Sequence, residues 1–223
     1  MRTNRRTFAP AEVALENPPA ILDPALIFGR TAPLEVDLGC GDGTFLAARA
    51  RENPERDFLG IERLPGRVRG ACRKIGEGQL PNARVLRAEI PEALRELLPA
   101  HSVEVFYLLF PDPWPKRRHH SRRVVNAEFL RHAAEALVPG GELRIATDHA
   151  DYFAEMQRIS LQEPAFEIAP TAGEMEAAVH STFEERFRAR GVAINRLTLR
   201  NRSKAVSNAA GSAERRDDPV SFR

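Results

Sequence analysis

LEVDLGCGDGTFLAARARE, Leu34 to Glu52, decides how the rest of the chain is read. Leu34–Leu38 is a short strand, Gly39, Gly41 and Gly43 break it at once, and Thr44–Glu52 follows as a helix that offers Phe45, Leu46, Ala48 and Ala50 for packing. Strand, glycine turn and helix in immediate succession open a sheet of parallel strands. The glycines permit a tight turn and let a ligand approach the backbone, whose free N–H groups at the helix start favour electronegative atoms. Written out, the turn is D-x-G-x-G-x-G from Asp37. It departs from the dinucleotide fingerprint G-x-G-x-x-G, because the third glycine comes one residue early and the motif begins with an acid. A pyrophosphate is repelled by Asp37, whereas a cationic or amino-acid-bearing cofactor is not.

Downstream the same rhythm repeats. Asp57–Glu62 reads as a second strand, Val68–Ile75 as a helix entered past Pro65, and Ala83–Ile90 as a third strand, with a short helix begun by Pro91. Val103–Phe110 is a fourth strand, Val124–Val138 a helix stopped by Pro139, Gly140 and Gly141, and Glu142–Asp148 a fifth strand. Five alternations predict a doubly wound α/β fold, a mostly parallel sheet with helices on both faces. Beyond it, Tyr152–Leu161 reads as a helix, with Tyr152, Phe153 and Met156 at core spacing, and Ala165–Ala169 and Val192–Leu199 as strands. Residues 1–30, holding Pro10, Pro18, Pro19 and Pro24, read as an irregular arm, residues 31–200 as the domain, and residues 201–223 as a disordered tail.

Carboxylates recur where ligands sit in such sheets, at the strand C-termini. Asp37, Glu62, Glu89 and Asp148 end strands one, two, three and five, and Asp112 falls just past strand four. Glu62 stands 21 residues after Gly41, the place of an acid that takes both ribose hydroxyls of an adenosine, and Glu89 is positioned to accept from an adenine amino group. Asp112 belongs to FPDPWPKRRHHSRR, Phe110–Arg123. Three prolines in five residues cannot continue the strand, so the loop is stiff and holds a carboxylate and an indole at the strand's end. Lys116, Arg117, Arg118, His119, His120, Arg122 and Arg123 follow with no acidic residue before Glu128, a run that suits a polyanion. Trp114 is read either as a stacking surface for a base or as a half-buried plug.

The totals exclude several classes. In 223 residues with net charge +2, no apolar run approaches the roughly 20 residues that cross a bilayer, and the arginines of MRTNRRTFAP precede no apolar signal region. Two cysteines, Cys40 and Cys72, make neither a disulfide framework nor a zinc site, which leaves a reducing cytoplasm as the expected location. Positive charge gathers in Arg2–Arg6, in Lys116–Arg123 and in Arg186–Lys204, the last with seven Lys/Arg and no Asp or Glu.

With these residues in view, the glycine turn and ribose acid resemble the class I S-adenosylmethionine-dependent methyltransferases. More narrowly, FPDPWPKRRHHSRR, with LPNARVLRAEIPEAL before it and PGGELRIATDHADYFAEM after it, is similar to bacterial tRNA (guanine-N7-)-methyltransferases over about Leu34 to Leu199. The resemblance implies a Rossmann-like, mostly parallel seven-stranded sheet and methyl transfer from S-adenosyl-L-methionine to N7 of a guanine in the variable loop of tRNA; neither membrane nor obligatory protein partner is expected, and no metal. It implies cofactor contacts at Asp37, Gly39, Gly41, Gly43, Glu62, Glu89 and Asp112, the last also catalytic. Guanosine contacts fall on Lys116 and Asp148, and on Ser181 and Glu184 in the T-x-[F/Y]-E register; RNA contacts fall on Arg117, Arg118, His119, His120, Arg122 and Arg123. Two departures stand out: Ser181 lacks the methyl group of the family's threonine, and Glu89 replaces its aspartate. Two other readings remain open, an exocyclic amino-group methyltransferase and a nucleotide-sensing RNA-binding protein without catalysis.

Overall fold

The computed structural model describes residues 11–15, 20–170 and 191–202. Its strands are β1 (Glu12–Val13), β2 (Leu34–Leu38), β3 (Asp57–Ile61), β4 (Ala83–Leu86), β5 (Val103–Leu109), β6 (Leu137–Thr147), β7 (Phe166–Ala169) and β8 (Asn195–Asn201). They form one sheet in the order β1-β4-β3-β2-β5-β6-β8-β7, parallel except that β8 runs antiparallel to both β6 and β7. The doubly wound sheet expected from the alternation is there, with eight strands rather than seven. The additional one is β1, from the segment read as an irregular arm: Ala11 O accepts from Val85 N–H at 2.8 Å, and Glu12 and Val13 register with Val85 and Leu86. The same segment folds a short helix α1 (Pro24–Phe28), capped by Asp23, which accepts from the backbone N–H of Ala25 and Leu26.

Two apolar layers flank the sheet. Along β3, Phe58 packs with Leu46 and Ala50 of α2 (Thr44–Glu52) and with Val68, Ala71 and Ile75 of α3 (Pro65–Glu77). Leu59 and Ile61 point the other way, into a larger cluster with Leu94 and Leu97 beyond the short α4 (Ile90–Glu92), Phe129 and Leu130 of α5 (Ala127–Ala136), and Tyr152 and Met156 of α6 (Ala150–Ser160). Alternation along a pleated strand sends successive side chains to opposite faces, so strands buried on both faces read as near-continuous apolar runs. Of the two buried acids on β2, Glu35 is held by Arg49 at 3.2 Å, Arg56 at 2.6 Å and the Tyr107 hydroxyl at 2.9 Å.

Pro139–Gly141 does not mark a loop after α5. The helix ends at Ala136, and Leu137 already belongs to β6. Pairing shifts from Val103 with Leu137 to Val105 with Glu142, so Pro139–Gly141 forms a bulge inside the strand. Gly140 takes φ +79, and a Cβ on Gly141 would stand 3.0 Å from the carbonyl oxygens of Glu104 and Val138. β8 likewise runs through Asn201, whose side-chain amide donates to the carbonyls of Ala134, Leu137 and Val138 and fastens the α5–β6 junction. Among the described residues no helix is long and apolar enough to cross a membrane.

Candidate active site

Every strand-end acid found in the sequence comes to the C-terminal edge of β2–β6, where the order turns back at β2 and β5. A cavity of about 520 Å³ opens there, lined by Leu38 and Gly39 from the glycine turn, Glu62 and Leu64 after β3, Glu89 and Ile90 after β4, and Pro111, Asp112 and Trp114 after β5. Arg122, Phe129 and His132 close the far side.

The turn after β2 carries the backbone shape its glycines allow. Gly39, Gly41 and Gly43 have φ of +84, +58 and +74, a region disfavoured for residues with a Cβ. Their surroundings differ. A Cβ on Gly41 would meet nothing within 4 Å, whereas on Gly43 it would lie 2.6 Å from Ala71 Cβ and 2.8 Å from its Cα. Gly41 thus leaves room beside the turn, and Gly43 brings the start of α2 against α3.

Asp37 is buried, with 4 % of its surface exposed, and its carboxylate has no hydrogen-bond partner among the described residues. Burial, and then the neighbouring Glu62 carboxylate, push its carboxyl up from 3.8 to about 7. Glu62 is equally enclosed but satisfied, accepting from Gly41 N–H at 3.2 Å and Leu64 N–H at 2.8 Å. Glu89 is exposed, with Arg63 at 3.6 Å. An unpartnered buried acid next to a tethered one calls for a cation. With room beside Gly41 and apolar walls from Leu38, Leu64 and Ile90, the residues fit a nucleoside with a cationic amino-acid arm, as S-adenosylmethionine has.

Asp112 stands at the cavity's outer rim, exposed, and its carboxylate has no partner among the described residues. The loop holding it is shaped by two non-glycine residues at positive φ, Phe110 at +53 and Trp114 at +43, on either side of Pro111–Pro113. It is closed by Arg123, whose Nε donates to Pro113 O at 2.8 Å, whose Nη1 pairs with Glu155, and whose guanidinium lies 4.6 Å over the Tyr152 ring. Tyr152 in turn accepts from Val125 N–H at 3.1 Å through its hydroxyl, whose own pKa is pushed up to about 12 mainly by burial.

The basic run divides accordingly. Lys116, Arg117, Arg118 and Arg122 are exposed around a 3-10 turn (Arg117–Arg122), and His119 and His120 are half-buried. Arg123 is a correction to the reading of the run as one RNA-facing stretch: it is 5 % exposed and spends its charge inside the protein. Trp114 is half-buried beneath Arg122, 4.9 Å from its ring, with the His119 ring 5.8 Å away, so its indole is already in contact with a guanidinium and an imidazole. Asp148 lies just past β6, level with Pro111 in the pairing of β5 and β6; it and Lys116 are outside the cavity wall. Asp37, Gly41 and Gly43 underlie the cavity without lining it. Ser181 and Glu184, Arg2–Arg6 and, within Arg186–Lys204, residues 186–190 and 203–204 fall outside the described residues. No group of three His, Cys, Asp or Glu among the described residues could hold a metal ion.

Residues 31–197 match the family model described as "Putative methyltransferase". The chain is 36 % identical over 177 residues to the tRNA (guanine-N(7)-)-methyltransferase of Syntrophotalea carbinolica, an alignment covering 78 % of this chain and 76 % of that one. The chain belongs to the tRNA (guanine-N(7)-)-methyltransferase family. It is 44 % identical to the Alkalilimnicola ehrlichii member over 156 residues, 69 % of this chain and 65 % of the relative, and 47 % identical to that of Halorhodospira halophila over 59 % and 57 %. The matched part thus spans less than two thirds of these two relatives. Among solved structures, the 16S rRNA methyltransferase KamB superposes with a TM-score of 0.60 at 20 % identity, covering 79 % of this chain and 91 % of that one, a likeness of fold.

The helix α5 wall, with Phe129 and His132, escaped the sequence reading because helical spacing there signals core packing and nothing in it marks which turn reaches a cavity.

Proposed function

We propose that the chain transfers a methyl group from S-adenosyl-L-methionine to N7 of a guanine in tRNA, in the variable loop as the family resemblance implies. The observation that carries this reading is Asp37: a buried carboxylate without a partner, beside a glycine turn with open space and a second carboxylate, suits a bound amino-acid cation. Bound there, S-adenosylmethionine supplies an electrophilic methyl group. Glu62 would take the ribose hydroxyls and Glu89 the adenine edge.

Guanine N7 has a lone pair and no proton, so methylation there needs no base, and what remains for the protein is alignment and exclusion of water. Asp112, at the rim with its acceptor oxygens uncommitted, would receive guanine N1–H and the 2-amino group and so enrich N7. Asp148, one strand over, would share that edge. Structured RNA must present the base splayed out, and the exposed Lys116, Arg117, Arg118 and Arg122 would hold its phosphates, so binding should weaken steeply with salt. Cys40 and Cys72 are both free thiols, in keeping with a cytoplasmic enzyme.

The test is incubation of the full chain with labelled S-adenosylmethionine and tRNA transcripts. The expected product is cleaved by borohydride and aniline, as N7-methylguanosine is, and Asp112→Asn lowers its rate of formation while leaving tRNA affinity in place. Label in an exocyclic amino group would point to the other methyltransferase reading, and tRNA binding without incorporation to a non-catalytic one.

A further inference from the structure

The charge clusters picked out in the sequence leave aside another. From Arg63 to Gly76 the chain carries Arg63, Arg67, Arg69, Arg73 and Lys74 and no acidic residue. Lys74 is spent within the protein, its Nζ 2.5 Å from Asp42 and 2.8 Å from the Thr44 hydroxyl, and Arg73 sits farther along α3, 4.0 Å from Glu77 on the next turn. The other three stand at the corner between β3 and α3, and all are exposed.

Arg63 and Arg67 line the same cavity as Asp112, Trp114 and Arg122. Their nearest carboxylates, Glu89 at 3.6 Å and Glu62 at 3.7 Å, are too far for hydrogen bonds, and both Glu62 oxygens already accept from backbone N–H groups. Arg69 makes no ion pair with a described residue, and its guanidinium lies back toward the start of α3, 3.9 Å from where a Cβ on Gly66 would be. Three guanidiniums with unspent donors therefore gather at one end of one helix. Arginine is weakly hydrated and presents a planar fork that matches phosphate, so an exposed group left off its carboxylates is suited to an external anion.

Topology puts this corner in a defined place. β3 and β5 flank β2, so the Arg63 corner and the Lys116–Arg122 turn lie on opposite sides of the glycine turn. Their strands are two spacings apart, about 10 Å, close enough for one backbone to touch both. A polyanion that delivers a base into the cavity between them passes each lip.

We propose that Arg63 and Arg69, with Arg67 behind them, are a second phosphate-contacting surface for the RNA substrate, on the lip of the cavity opposite the Lys116–Arg122 turn. The proposal rests on the reading of the chain as an enzyme acting on structured RNA, and its test separates the two. In the full chain, Arg63→Gln and Arg69→Gln are combined, leaving Arg67 in place because it neighbours Glu62. Binding of a tRNA transcript is measured by anisotropy between about 50 and about 200 mM salt. Expected are a roughly 5- to 20-fold weaker affinity at low salt and a log–log salt slope shallower by about 1 to 2, as for one or two lost phosphate contacts. Arg69→Gln alone, whose side chain does not line the cavity, keeps the wild-type affinity for S-adenosylhomocysteine and the wild-type melting midpoint while weakening tRNA binding, and the Arg63→Lys/Arg69→Lys pair recovers most of the binding. Unchanged tRNA affinity and slope, or an equal loss of cofactor affinity, would overturn the proposal. A wild-type chain that fails to bind tRNA in a salt-dependent way would remove the RNA reading itself, and this surface with it.

Discussion

Glu62 ties two loops together: its Oε2 accepts from Gly41 N–H at 3.2 Å while Oε1 accepts from Leu64 N–H at 2.8 Å. One carboxylate thus fixes the turn after β2 to the corner after β3 and still borders the cavity. Glu62→Gln keeps a single acceptor oxygen and loses the charge. Hydrogen bonds to charged groups contribute about 1.5–3 kcal/mol, so S-adenosylhomocysteine should bind about 10- to 100-fold more weakly by calorimetry. The melting midpoint should fall too, because the same change loosens the turn. Undiminished affinity would take Glu62 out of the cofactor site.

Asp37 gives the apo protein a predicted pH signature. Burial and the Glu62 carboxylate raise its folded-state pKa from 3.8 to about 7. Between those values the folded chain holds a proton that the unfolded chain has released, so this group's contribution to stability is complete below about pH 4 and is lost as pH rises to about 7. Asp37→Asn should flatten that limb of the melting curve series and raise the midpoint at about pH 8. Its affinity for a cationic cofactor should fall, while in the wild type that affinity should rise through the same interval. An unchanged limb in the variant would assign the titration to another group.

Gly41 and Gly43 should respond differently to alanine. Both pay the left-handed backbone cost of about 1–2 kcal/mol. At Gly43 the new Cβ also collides with Ala71 Cβ at 2.6 Å and Cα at 2.8 Å, and overpacking adds about 1–3 kcal/mol. Gly41→Ala meets nothing within 4 Å, so its effect should appear in cofactor affinity more than in stability. Chemical denaturation paired with cofactor titration on the two variants separates these outcomes.

The fold was legible where its determinants are local. Leu34–Glu52 encodes strand, turn and helix by apolar pattern and glycine alone, and the strand-end acids follow from counting forward. β1 was not legible, because two residues carry no period and their pairing with β4 is a tertiary event. Pro139–Gly141 signals both a stop and a bulge, and only the shifted pairing of β5 with β6 distinguishes them. Charge runs were legible as composition but not as direction. Arg123 turns inward because Glu155, Tyr152 and Pro113 O await it from elsewhere in the chain, and Arg63, Arg67 and Arg69 were diluted by the apolar residues of α3 between them.

Arg123 and Arg117, six residues apart in one basic run, should have opposite phenotypes. Removing Arg123 leaves Glu155 unpaired at the edge of the core, strips Tyr152 of its cation and frees Pro113 from the loop's far end. Breaking a buried pair costs about 3–5 kcal/mol, less here because Glu155 is 28 % exposed, so Arg123→Gln should destabilise by about 2–4 kcal/mol. Arg117 is exposed, and Arg117→Gln should leave stability within about 0.5 kcal/mol of wild type. On tRNA the order reverses in kind: Arg117→Gln should flatten the salt dependence, and Arg123→Gln should lower methylation through a displaced Asp112 without changing the salt slope. Urea denaturation and salt-series binding on both variants decide it; equal stability for the two would mean that the inward turn of Arg123 does not hold the loop.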